Sequence, residues 1–218
     1  MRGSRVTAAV LVAALVAGGG FLLGRAQREP ARQTAASTAG AAQPLQADPL
    51  LPPQPTPKTD PDYPPLSENL SWAPASIGSG PFRYSWVVPR GWERIPLQAN
   101  ETRWVPAGNP PDSQLIRVEV VASQYQTQQS ILLDRIDMLR SATGVRDLKL
   151  LKVDLKQAIL QYSYVNEPGY LRFNTLHWIS LDGNDTAQIE VAVEGRAIDR
   201  PGLAAMSQRV WESVHQTS

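Results

Sequence analysis

Apolar and polar positions divide the chain into stretches of three kinds. Val6 to Gly24, VTAAVLVAALVAGGGFLLG, is apolar and uncharged between Arg5 and Arg25. As a helix it would extend roughly 28 Å, close to the hydrocarbon thickness of a bilayer. From Gln27 to about Gly80 there is no apolar period but repeated proline, as in Leu51-Pro52-Pro53-Gln54-Pro55-Thr56-Pro57 and Tyr63-Pro64-Pro65. Such a stretch buries too little to offset its ordering entropy and reads as a disordered linker, stiff where proline dominates. From Phe82 onward the periods of folded elements set in. The pattern predicts three parts: a membrane anchor or signal segment (1–26), a Pro/Ala/Gln-rich linker (27–80) and one head domain (81–218).

Within the head, Phe82, Tyr84, Trp86 and Val88 alternate to one side, the period of a strand. Pro89-Arg90-Gly91-Trp92 turns the chain, and a short strand follows at 102–105. Residues 115–123 place Ile116, Val118 and Val120 opposite Arg117 and Glu119. A helix is predicted next, with Thr127 as N-cap, an apolar face of Leu132, Leu133, Ile136 and Leu139, and Gly144 at its end. Strands are expected at 148–155, 158–165, 170–181 and 186–194, joined by turns such as Asn166-Glu167-Pro168-Gly169 and Asp182-Gly183-Asn184-Asp185. Asp199-Arg200-Pro201 opens a final helix carrying Leu203, Met206, Val210 and Val214. Successive strands lie too close for crossover helices, so the expected class is α+β with an antiparallel sheet packed on two main helices.

Arg2 and Arg5 give the first segment a positive start, shared by signal peptides and signal anchors. Its apolar length favours retention, whereas Gly24-Arg25-Ala26 places small residues where a signal peptidase reads, so cleavage after Ala26 stays open. Counting arginines alone would hold the far side in the cytoplasm, since Arg25, Arg28 and Arg32 outnumber Arg2 and Arg5. A short N-terminal tail before a long proline-rich spacer is instead the plan of an exported, tethered domain. The expectation is a single-pass protein of the cell membrane, held through residues 6–24, with its head outside the cytoplasm.

Composition narrows the chemistry. The chain has 218 residues, 21 basic and 20 acidic, for a formal charge of +1, and no basic stripe points to nucleic acid. It has no cysteine, which removes disulfides, thiolate sites and the lipid-modified cysteine of a lipoprotein. Its two histidines, His177 and His215, are too few for a histidine-built metal site. His177 falls on the apolar side of its strand with Leu171, Phe173, Ile179 and Leu181, as a core histidine would. Glu190 and Glu194 stand about 13 Å apart on one strand, beyond the 6.5–9.5 Å of an inverting glycosidase pair, and read as a solvated face. Asp182, Asn184 and Asp185 suit a hairpin turn better than a calcium loop. No catalytic residue, metal site or cofactor is assigned. Trp178 lies opposite His177 on its strand, on the side of Tyr170, Arg172 and Asn174. Arg172, Trp178 and Tyr170 are the candidate recognition surface.

Several elements together carry a resemblance. Val88-Pro89-Arg90-Gly91-Trp92, Tyr162-Ser163-Tyr164, Ile189 to Val193, Arg200-Pro201 and Trp211-Glu212-Ser213-Val214 resemble the pattern of the PsbP-like superfamily. That superfamily includes a yeast Ran-binding nuclear import factor, LpqN-type lipoproteins and extracytoplasmic PsbP-like domains of actinobacterial serine/threonine kinases. The resemblance covers about residues 82–216 and implies an α/β/α sandwich with a non-enzymatic role. The chain departs from those relatives in having neither a kinase domain nor a lipid-attachment cysteine. The function expected is an accessory or sensor module that binds a protein or envelope component. The alternative is a small-ligand or cell-wall-fragment binding protein with a pocket between sheet and helix.

Overall fold

A computed structural model describes residues 56–217, apart from 111 and 122–125. The Val6–Gly24 segment and most of the linker lie outside these residues. Among the described residues no helix is long and apolar enough to cross a membrane.

One compact unit begins at Pro57. Its strands are β1 (Trp72–Ile77), β2 (Tyr84–Pro89), β3 (Trp92–Gln98), β4 (Glu101–Pro106), β5 (Leu115–Val120), β6 (Arg146–Asp154), β7 (Ile159–Val165), β8 (Leu171–Ile179), β9 (Ile189–Gly195) and β10 (His215–Gln216). Its helices are α1 (Gln128–Ser141) and α2 (Arg200–Glu212). Seven strands form one sheet in the order β3-β4-β5-β9-β8-β7-β6, and a smaller sheet has the order β1-β2-β10. Every pairing in both is antiparallel.

The large sheet is covered on both faces because its central strands carry apolar groups on both. Leu176, Trp178 and Ala192 meet Leu132, Ile136 and Leu139 of α1. The alternate residues Ile179, Ile189, Val191 and Val193 meet Leu203, Met206 and Val210 of α2, together with Tyr84, Trp86 and Val88 of the smaller sheet. Trp86 and Trp104 meet edge to face with centroids 5.4 Å apart, a favoured aromatic geometry. Thr127 caps α1 as expected, its hydroxyl accepting from the Ser130 amide at 3.1 Å. Gly91 sits at φ +83 in the β2–β3 turn, a left-handed conformation that explains glycine in the Pro-Arg-Gly-Trp element.

The linker reading has to be shortened at its head end. Residues 72–77 form β1, which tolerates Pro74 because it is the outer strand of its small sheet. The preceding segment, Lys58–Leu66, lies on the body as an extended strap. The Lys58 amide donates to the Gly169 carbonyl at 2.8 Å, Asp60 pairs with Arg172, and the Leu66 amide donates to Asp199 at 2.8 Å. Phe82, expected in β2, instead ends a short 3-10 turn and is exposed.

Helix α2 approaches the strap closely at Gly202. A β-carbon there would collide with the Leu66 carbonyl oxygen and come within 2.9 Å of its carbon. Gly202→Ala should therefore lower stability by about 1–3 kcal/mol through overpacking, although alanine is the better helix former. A thermal melt checks the sign: a gain would mean that the strap yields without cost.

Candidate functional site

The structure places the three sequence candidates under cover. Trp178 is fully buried beneath α1, its indole donating to Glu190 Oε2 at 2.7 Å. Arg172 is 1% exposed. Its Nη1 donates to Asp60 Oδ1 at 2.6 Å and its Nε to the Asp112 carbonyl at 2.8 Å. Its guanidinium also lies over the half-buried Tyr170 ring, 5.0 Å from the centroid. Arg172 and Trp178 share a face of β8 but stand six residues apart, about 20 Å. They therefore do not form one open surface: Trp178 serves the core, and Arg172 with Tyr170 holds the strap.

The reading of Glu190 and Glu194 as solvated also fails, because both are buried, Glu190 beneath Arg135 of α1 and Glu194 between Tyr164 and Asn174. Glu190 is 2% exposed. It pairs with Arg117 of β5 and with Arg135 of α1, the latter at 2.7 Å. Arg117 also reaches Glu101 at 3.2 Å and Glu119 at 2.8 Å. Burial pushes the Glu190 carboxyl up, but Arg117, Arg135 and the Trp178 indole outweigh it and hold it below the usual range. Burial raises Glu194, against bonds from the Tyr164 hydroxyl at 2.8 Å and Asn174 at 2.9 Å. Each carboxylate has a structural partner, Glu190 on β5 and α1 and Glu194 on β7 and β8.

His177 faces the opposite side from Trp178, as its period predicted, and that side is covered by α2. It is buried, and its ring meets Trp211 with centroids 4.6 Å apart. Its Nδ1 has no hydrogen-bond partner among the described residues. Burial lowers its pKa to about 4, so the ring is neutral at physiological pH. Asp182 Oδ1 accepts from the Asn184 amide at 3.0 Å and the Ser180 hydroxyl at 3.1 Å, which is turn chemistry.

An open groove of about 350 Å³ remains between α2 and the outer half of the large sheet. Leu151, Gln161, Phe173 and Thr175 line the sheet side, and Arg200, Leu203 and Ala204 the helix side. Arg200 lies over the Phe173 ring at 5.0 Å, an arrangement stabilised by the ring quadrupole. The exposed Leu151, Arg200 and Ala204 leave the groove open to solvent. No single stretch of sequence announces it, because its walls come from β6, β7, β8 and α2. The Arg200-Pro201 opening of α2 was the one signal within reach.

No protein-family model matches the chain, and no curated protein matches it. Among solved structures it is similar to the Ran-binding protein Mog1p of Saccharomyces cerevisiae, determined at 1.9 Å resolution. The two are 12% identical with a TM-score of 0.48, over 68% of this chain and 96% of that one. The likeness is one of fold.

Proposed function

We propose that the chain is a single-pass, membrane-anchored extracytoplasmic module of the PsbP-like superfamily that binds a protein or envelope component and is not a catalyst. The observation that carries this reading is how the polar groups are spent. Glu190, Arg117, Arg135 and Glu194 are tied to one another or to neighbouring side chains, and His177 is packed on Trp211. The accessible groove instead offers a guanidinium, an aromatic ring and an amide, groups suited to recognition. Its openness favours a larger partner over an enclosed small ligand. Membrane attachment rests on the uncharged Val6–Gly24 segment.

The test uses full-length protein in its native cells with a photo-crosslinking residue at Thr175, in the groove, or at the exposed Glu167. A discrete adduct from position 175 alone is expected, and its absence would overturn groove recognition. Because the chain has no cysteine, a single cysteine at position 167 also reports the side of the membrane. It should react with an impermeant maleimide in intact cells, and reaction only after lysis would overturn the extracytoplasmic placement.

A further inference from the structure

The strap is held by contacts that read its sequence. Arg196, 4% exposed, donates to the Tyr63 carbonyl at 3.0 Å and the Pro64 carbonyl at 2.9 Å. Its guanidinium lies 3.5 Å from the centroid of the Tyr63 ring. Asp199, fully buried, orients Arg196 through Nε at 2.8 Å and accepts the Leu66 amide. Asp60 completes the set through Arg172 at 2.6 Å, and the nearest other carboxylate to Arg172, that of Asp112, stands at 3.8 Å. The body thus presents a trough with two prearranged guanidiniums, and that of Arg172, paired with Asp112 only at 3.8 Å, takes its closest carboxylate from the strap's Asp60. The strap is extended and carries Pro61, Pro64 and Pro65. It joins β1 through residues 67–71, most of them exposed, so its departure need not open the β1–β2 pairing.

We propose that this trough is a peptide-recognition site, filled in cis by Lys58–Leu66, which accepts from another polypeptide an extended, acidic, proline-containing segment bearing an aromatic residue. The inference rests on the binding-module reading and deepens it. Arg172 supplies the charge match, Arg196 the aromatic and carbonyl match, and Asp199 the backbone amide match. A preformed cation pair and a stiff proline-rich ligand both limit the entropy lost on binding. The cis strap competes with any incoming segment, so occupancy in trans depends on strap release.

The probe is a labelled synthetic peptide of residues 57–67, titrated by fluorescence anisotropy against full-length protein in detergent. Two proteins are compared, the wild type and the strap-weakened double variant Asp60→Lys, Tyr63→Ala. The variant should bind the peptide at least tenfold more tightly than the wild type does. A peptide carrying the same two changes should bind the variant at least tenfold more weakly. Equal binding of the two peptides, or none, by a variant that keeps a cooperative thermal transition would overturn the proposal. Should the variant not fold, a protease site placed at Glu68-Asn69 of the otherwise wild-type chain gives the second measurement. After cleavage the strap should exchange for labelled peptide while the body stays folded, whereas a strap that leaves only on unfolding would overturn the proposal. Both readouts are independent of crosslinking at Thr175, so loss of the trough site would leave the groove result standing.

Discussion

Glu190→Ala is expected to destabilise the fold by about 3–5 kcal/mol, the usual cost of breaking a buried ion pair from one side. Arg117 would keep Glu101 and Glu119, but Arg135 and the Trp178 indole would lose their shared acceptor. For a folded unit of this size each kcal/mol moves the melting temperature by about 2–4 °C, so the expected drop is about 6–20 °C. Glu190→Gln keeps the shape and an acceptor while removing the charge, and should lose less than alanine does. Urea unfolding of the three proteins checks the order. A loss below about 1 kcal/mol for alanine would mean that water reaches the cluster and that the pairs behave as surface bridges.

The second large effect is acid sensitivity centred on His177. Its folded pKa of about 4 lies below the ordinary histidine value of 6.5, so the fold prefers the neutral ring. The stability this preserves is fully present above pH 6.5 and is lost as pH falls toward 4, because the unfolded chain takes up the proton first. From pH 7 to 4.5 the loss from this one group is about 2–3 kcal/mol. Glu190, held low, adds its own acid sensitivity below the ordinary carboxyl range, so the measurement is a comparison between proteins. His177→Leu should lose about 2–3 kcal/mol less than wild type over that interval, read from denaturation midpoints at the two pH values. Identical pH profiles would show that the ring becomes protonated in the folded state without penalty.

The two faces of β8 were legible because a strand has a period of two and its residues differ in kind. His177 and Trp178 therefore separated correctly onto opposite faces, but a strand's period does not say which helix covers which face, and α2 lies over His177 and α1 over Trp178. Both helices were legible from their apolar spacing and from Thr127 and Pro201 at their starts. β3 was not, because it is an edge strand with Glu93, Arg94 and Pro96 among its residues and little of it is buried. β1 hid in a proline-rich stretch whose composition resembles the linker before it. Glu190 and Glu194 misled for a different reason: alternation locates a face but does not say what covers it. The Arg135 partner that makes Glu190 a buried acid comes from another element, 55 residues away in the chain. The same limit applies to Arg172, whose partner Asp60 is 112 residues distant.

The strap also decides how the head meets mechanical load. A pull arriving through the chain before Pro57 reaches Lys58 first, then Asp60 on Arg172, then Tyr63 on Arg196, and only afterwards β1. These contacts stand in series with the β1–β2 ladder and shield it, so tension must strip the strap before it can unzip a strand. Resistance to such a pull is governed by the rate at which the shielding contacts rupture, not by the equilibrium stability of the sheet behind them.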